Sequence, residues 1–345
     1  MSLGGRIAAR IRATGPITVA DYMAEALLDP RDGYYTTRDP LGRDFTTAPE
    51  ISQMFGELAG LALAQAWLDQ GRPDPVVLAE LGPGRGTLLA DALRAMRAVP
   101  GLPEAARVHL VEASPVLRAV QARTLAAHAP VWHDRAETLP DAPTLLVANE
   151  FLDALPIRQH VRDGEAWRER MVALEDDRLA FALGPPVPVP ELDHHAVPDG
   201  TMVERCPALP GIVATVATRV ARGGAALFVD YGHWRARGDT LQALRAGRAV
   251  DPLDAPGTAD LTAHVDFEAV ARAAPRASAM TAQGVWLERL GITARARALA
   301  RGAQADAVAA AHRRLTHPTE MGDLFKVIAL APPGAPLPPG LDEAP

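Results

Sequence analysis

The sequence predicts an α/β protein built on a parallel, doubly wound sheet, with a helical section ahead of the sheet and a β-hairpin inserted in it. Three observations lead there. Short apolar runs rich in β-branched residues alternate with stretches of helical apolar spacing, the pattern of strand–helix–strand units. A glycine-rich turn closes the first such strand, and two alternating strands interrupt the series near mid-chain.

Taken in order, Met1 to Arg12 bears arginines and no acids, which resembles a transit segment superficially, but it lacks a secretory apolar core and runs straight into structured-looking sequence; a first helix is expected. Residues 17–28 and 51–70 have helical spacing, separated by a Gly/Asp/Pro-rich loop, Asp29 to Glu50. Val76 to Leu81 predicts a strand and Thr87 to Ala98 a helix; Val108 to Glu112, Pro115 to Ala127 and Thr144 to Ala148 repeat strand, helix, strand. This is a Rossmann-like arrangement. Trp167 to Leu174 and Arg178 to Leu183 flank Glu175-Asp176-Asp177 as the inserted hairpin. A linker, Gly184 to Pro198, holds five prolines in fifteen positions. The core resumes with a helix over Ile212 to Ala221 and a strand over Ala225 to Asp230, then a polar loop, Gly232 to His264. Helices around 266–274, 285–300 and 303–314 precede a last strand, Leu324 to Leu330, and the final fifteen residues, with six prolines, predict a disordered tail. The expected segments are therefore 1–70, 71–160, 161–207, 208–330 and 331–345.

The chain has 345 residues and a net charge of −7, with dispersed basic residues, of which only Lys326 is lysine. No basic stripe exists to grip a nucleic-acid backbone. No apolar stretch approaches the ~20 residues of a membrane helix, so a soluble chain without membrane insertion is expected. The single cysteine, Cys206, excludes an internal disulfide and suits a reducing cytoplasm; beside Pro207 it reads as a packing residue rather than a nucleophile. His160, His194, His195, His233 and His264 lack metal-ligand spacing. No metal is expected, and His194-His195 in the linker should be solvated.

Glu80-Leu-Gly-Pro-Gly-Arg-Gly86 lies at the end of a predicted strand, where glycines let the backbone turn tightly and approach a nucleotide-like ligand. A tight turn without a ligand uses the same residues. The spacing is G-x-G-x-G, and Glu80 can receive a cationic amino group, which favours S-adenosylmethionine over NAD. Glu112 ends the next strand, where an acid can accept from both ribose hydroxyls; Asp134, after Val131-Trp132-His133, either accepts from an adenine amino group or is a surface aspartate. Trp132 or His133 could stack on the base or pack half-buried.

Asn149-Glu150-Phe-Leu-Asp153-Ala-Leu-Pro156 follows the fourth strand at the edge where parallel sheets present reacting groups. Glu150 and Asp153 either cap a helix start or bind the planar N–H fork of a guanidinium in line with a methyl donor. Since arginine titrates above pH 12, its deprotonation before attack is not required of them.

Several stretches together resemble the MidA-type methyltransferases. They are Gly15 to Met23, Asp32-Gly-Tyr-Tyr35, Asp44 to Glu57, the Glu80 to Thr87 turn, Asn149 to Pro156, Val229-Asp-Tyr-Gly-His233, Asp260 to Asp266 and Met321 to Lys326. The resemblance spans nearly the whole chain and implies a class I methyltransferase fold, with Gly82, Gly84, Gly86, Glu112 and Asn149 in the S-adenosylmethionine site. It also implies a covering loop, Asp44 to Glu50, with Thr46, Thr47 and Glu50 as contacts, although a helix-capping turn would look the same. Asp230, Tyr231, His233 and His264 are further acceptor-site candidates. The family includes a mitochondrial assembly factor that dimethylates an arginine of a respiratory complex I core subunit, so symmetric dimethylation of such a subunit by a bacterial-type member is implied. Rival readings are a catalytically idle assembly chaperone and an NAD-dependent oxidoreductase. The oligomeric state, a homodimer included, is left open.

Overall fold

The computed structural model describes residues 1–39, 46–192, 195–301 and 304–344. It divides into two units, each assembled from three stretches of chain. Thr46–Leu152, Pro210–Trp234 and Phe267–Pro345 form the unit that holds the doubly wound sheet. Its strands lie in the order Thr281–Ala282, Phe325–Leu330, Gly224–His233, Thr144–Asn149, Val76–Leu81, Ala106–Val111 and Val131–His133. From Gly224–His233 to Val131–His133 all neighbours run parallel, and Phe325–Leu330 is antiparallel to Gly224–His233.

Val76–Leu81 and Thr144–Asn149 are buried along their entire length, which is why their central stretches, residues 76–79 and 145–148, are continuous apolar runs rather than alternating ones. The helix Gln53–Asp69, whose start is capped by the Ser52 hydroxyl, packs against Thr87–Met96. At Gly60 an added Cβ would come within 2.7 Å of the Ala92 Cα, so only glycine allows this approach. The buried Glu57 between them is disfavoured as a charge by burial, yet hydrogen bonds from Arg295 and Arg94 hold its carboxyl below the usual range.

The sheet's register sets the site. Leu81 pairs with Val111 on one side and Ala148 on the other, and Val229 pairs with Asn149. The glycine turn, Glu112, Asn149-Glu150 and Asp230 therefore leave the sheet along one edge.

The other unit comprises Met1–Phe45, Asp153–Leu209 and Arg235–Asp266. Helix Leu3–Thr14 and helix Val19–Leu28, the latter opened by a Thr18–Asp21 capping box, pack on the hairpin Ala166–Glu175/Arg178–Val187, with Ile17 paired to Val172. Ile7, Tyr22, Leu27, Tyr34, Val172 and Leu261 share its apolar core. The N-terminal helices and the hairpin, separate segments in the sequence reading, thus share one compact unit, while residues 46–70 belong with the sheet.

Other departures have identifiable causes. The expected polar loop before His264 carries a three-stranded sheet, Gln242–Arg245, Arg248–Val250 and Asp260–Thr262; its strands are too short for a periodicity to register. The expected helix 285–300 is split into Gln283–Arg289 and Ile292–Leu299 at Gly291, which adopts φ +90°. His195 is buried rather than solvated; His194 lies outside the described residues. Cys206 packs half-buried against the apolar core of its unit, and burial pushes its thiol up to about 11, which disfavours a thiolate nucleophile. Among the described residues no helix is long and apolar enough to cross a membrane.

The proline-rich C-terminus is ordered through residue 344, not disordered. Ala279 donates to Asp342 O at 2.8 Å, Arg289 pairs with Asp342 at 2.8 Å, and Trp286 Nε1 donates to Pro339 O at 3.3 Å. Prolines lack a donor but keep an accepting carbonyl, and here the segment covers Trp286, which is fully buried. Ending the chain at Ala331 should expose that indole and lower the urea-unfolding free energy by about 1.5–3 kcal/mol; an unchanged midpoint would show that the segment adds nothing to stability.

Candidate active site

Within the unit that holds the sheet, Gly82, Gly84 and Gly86 take φ values of +63°, +52° and +80°, conformations that side-chain-bearing residues avoid. A Cβ on Gly82 would also strike the Phe151 ring at 2.8 Å. The turn opens directly into the helix Thr87–Met96, with Gly86 as its N-cap. Backbone N–H groups at such a junction suit an anionic or polar ligand.

Two buried acids stand beside this turn. Glu80 is 3% exposed, its Oε2 has no hydrogen-bond partner among the described residues, and burial followed by the nearby Glu112 pushes its carboxyl up to about 8. Glu112, also raised by burial, accepts from Ser114 N at 2.8 Å and from Gln121 Nε2 at 3.1 Å. The same Gln121 Nε2 donates to Gly84 O at 2.7 Å, while its Oε1 accepts from Trp132 Nε1 at 2.9 Å. Gln121, wholly buried on the helix Pro115–Thr124, is the residue the sequence reading missed. A glutamine inside an amphipathic helix carries no spacing signal; only its place on the apolar face, level with Leu117, hints at a buried polar contact.

The fourth-strand motif behaves differently from a helix cap. No helix follows Asn149; the next element is the strand Arg158–Asp163. Glu150 adopts φ +51°, a left-handed backbone that costs a non-glycine residue about 1–2 kcal/mol. It is held there by its own N–H to Val229 O at 2.9 Å, and its Oε1 accepts from Ala48 N at 2.9 Å and Asn149 Nδ2 at 3.1 Å. The Asn149 Oδ1 is buried without a partner among the described residues.

Of the covering loop, Asp44 and Phe45 lie outside the described residues. Thr46 is exposed, and Thr47 occupies the N-cap of the short turn Ala48–Ile51 without a side-chain cap bond. Glu50 accepts from Thr87 Oγ1 at 2.5 Å and faces Arg85 at 3.7 Å, which ties it to the glycine turn. Asp230 accepts from the backbone N–H groups of Phe151 at 3.1 Å, Leu152 at 2.9 Å and Tyr231 at 2.9 Å. Tyr231 meets the Phe325 ring edge-on, with centroids 5.5 Å apart, and His233 is exposed at the end of its strand. Asp134 is 84% exposed and pairs with Arg118 at 2.6 Å, the arrangement of a surface aspartate.

Asp153 and His264 belong to the other unit. There Ala263 N donates to Asp153 O at 3.0 Å, His264 N donates to Thr240 Oγ1 at 2.9 Å, and Tyr35 Oη donates to Asp260 at 2.6 Å. Burial, then the charges of Asp260 and Asp153, raises the Tyr35 phenol well above its ordinary range.

The family model described as "Putative S-adenosyl-L-methionine-dependent methyltransferase" matches residues 58–286. Protein arginine methyltransferase NDUFAF7, mitochondrial, of Xenopus tropicalis is 36% identical over 363 residues, covering 94% of this chain and 84% of the relative. The chain belongs to this methyltransferase family. The human protein of the same name is 36% identical, covering 94% of this chain and 82% of its own length. A crystal structure from Burkholderia thailandensis bound to S-adenosyl-homocysteine superposes with a TM-score of 0.83 at 32% identity, covering 99% of this chain and 93% of that one.

The residues present fit S-adenosylmethionine. The methyltransferase offers a glycine cradle in which a Cβ at Gly82 would clash, and an orphaned buried carboxyl oxygen on Glu80 for a cationic amino group. Gln121→Leu removes both donors that join Gly84 to Glu112, and S-adenosylmethionine affinity should fall about tenfold, the equivalent of about 1.4 kcal/mol. Unaltered affinity in a folded Gln121→Leu protein would remove Gln121 from this role.

Proposed function

We propose that this methyltransferase modifies a protein arginine, with a respiratory complex I core subunit as acceptor and symmetric dimethylation as outcome, in a reducing cytoplasm. The relatives named as protein arginine methyltransferases support the acceptor class. The observation that carries the reading is Glu150, a carboxylate on a left-handed backbone at the sheet edge, oriented by Ala48 and Asn149. S-adenosylmethionine supplies a methyl group on a positively charged sulfur.

Gly82, Gly84 and Gly86 admit the cofactor, Glu80 receives its amino group, and Glu112, braced by Gln121, takes the ribose hydroxyls. Asn149 lines the same edge. Glu150 accepts from guanidinium N–H groups and so fixes the plane of the acceptor. Its charge localises the positive charge on the far nitrogens, leaving the nitrogen that faces the methyl better able to attack. The proton departs from the methylated nitrogen, so no base stronger than a carboxylate is needed. Orientation supplies most of the rate. Asp230 acts on the acceptor only through the Phe151-Leu152 backbone it holds. Glu50 belongs with Arg85 and Thr87 at the cradle, and Thr46, Thr47, Tyr231 and His233 frame the acceptor.

Incubating the protein with radiolabelled S-adenosylmethionine and isolated complex I core subunits should place label on one subunit as symmetric dimethylarginine; label on none of them would sink the acceptor assignment. Glu150→Gln keeps an oxygen for Ala48 N, and it should lower methyl transfer by about 10²-fold or more while leaving cofactor affinity unchanged. Full activity in that variant would exclude Glu150 from catalysis.

Glu80, raised to about 8, is protonated in the free protein at neutral pH. A cationic amino group lowers that value on binding and releases the proton, so cofactor affinity should rise as pH increases from about 5.5 to about 7.5. Glu80→Gln should flatten the profile; an equally steep one in the variant would assign the proton elsewhere.

A further inference from the structure

At the outer edge of the sheet, the start of strand Ala106–Val111, the end of helix Thr87–Met96 and the segment around His128 enclose a cavity of about 470 Å³. It draws on Arg107, Val108 and His109, whereas Glu112 follows the opposite end of that strand, so this is not the cofactor site. Four basic side chains line it, Arg97, Arg107, His109 and His128, and none of its lining residues is acidic, in a chain of net charge −7. The rest of the wall is apolar, Met96, Leu102 and Val108 among it. Neither Arg97 nor Arg107 makes an ion pair with any described residue; Arg107 donates only to the backbone carbonyls of Glu104 and Ala106.

The histidines carry more information. Thr138 Oγ1 donates to Arg135 O at 2.8 Å, so its oxygen is the acceptor for His133 Nδ1–H at 3.0 Å. In a neutral His133 the other nitrogen, Nε2, then holds a lone pair and accepts from His109 Nδ1–H at 2.9 Å. His109 is left with a lone pair on Nε2, which makes no hydrogen bond with any described residue. Burial, reinforced by His133, pushes His109 down to about 4, in keeping with a neutral ring. The cavity thus joins two unpaired guanidiniums, which want anionic oxygens, to a ring nitrogen that wants a proton.

We infer that this cavity binds a soluble phosphate monoester with a short apolar body, its anionic oxygens on Arg97 and Arg107, its P–OH donating to His109 Nε2, and its body on the apolar wall. A phosphate monoester has its second ionisation near pH 6, so around that pH it still carries a hydroxyl proton, which a sulfate monoester does not. The volume suits a small molecule rather than a two-chain lipid.

Titration calorimetry of the full chain at about pH 6 with hexyl phosphate, hexyl sulfate and inorganic phosphate tests this. Hexyl phosphate should bind about tenfold or more tightly than either of the others. Arg97→Gln/Arg107→Gln, at two exposed positions, should weaken hexyl phosphate about tenfold or more and leave S-adenosylmethionine affinity unchanged. Equal binding of hexyl sulfate would overturn the role of His109, equal binding of inorganic phosphate the role of the apolar wall, and an unchanged affinity in the double variant the site itself.

Discussion

The carboxylate of Asp230 is the constraint on which the catalytic edge depends. Almost inaccessible to solvent, it gathers the backbone N–H groups of Phe151, Leu152 and Tyr231. Each such donor left without a partner in the interior costs about 1–3 kcal/mol. By collecting them, Asp230 stitches the chain leaving Thr144–Asn149 to the neighbouring strand. Glu150 is then turned left-handed between two fixed points, Val229 on one side and the stitched Phe151-Leu152 on the other.

The buried acids of the same unit show how one environment yields opposite charge states. Glu57 has two guanidiniums against it and stays ionised despite burial. Glu80 is raised by burial and then by the charge of Glu112, to about 8, and is held protonated at neutral pH. A buried carboxyl with an unpartnered oxygen, as on Glu80, is preorganised for a cation, because the ligand supplies the charge the protein withholds.

Much of this was legible in the sequence where one physical signal dominated. Strands buried on both faces carry continuous apolar stretches, so residues 76–79 and 145–148 stood out, and the glycines marked a backbone that side chains avoid. Hairpin Ala166–Glu175/Arg178–Val187 was visible because its alternation runs long. What escaped detection rests on contacts between residues far apart in sequence. Gln121 joins Gly84 to Trp132, and Asp230 reaches back to Phe151; neither follows a local period. Short strands such as Arg248–Val250 have too few residues to show alternation. The C-terminus misled because composition records that prolines are plentiful and is silent about the indole they cover. Asp134 occupied the expected strand end, yet Arg118 claims it.

The three-stretch construction of the hairpin-bearing unit has a consequence for how the protein is made. Helices Leu3–Thr14 and Val19–Leu28 leave the ribosome before the hairpin they pack on, which comes after Asp153, and the unit's last strands end near Asp266. Helices Leu3–Thr14 and Val19–Leu28 must wait, apolar faces uncovered, through the synthesis of more than half the chain. At about 5–20 residues per second that interval lasts on the order of ten seconds to a minute. Translation order thus separates the two halves of this core in time, and the apolar faces of these helices are solvent-facing on the nascent chain until the hairpin follows.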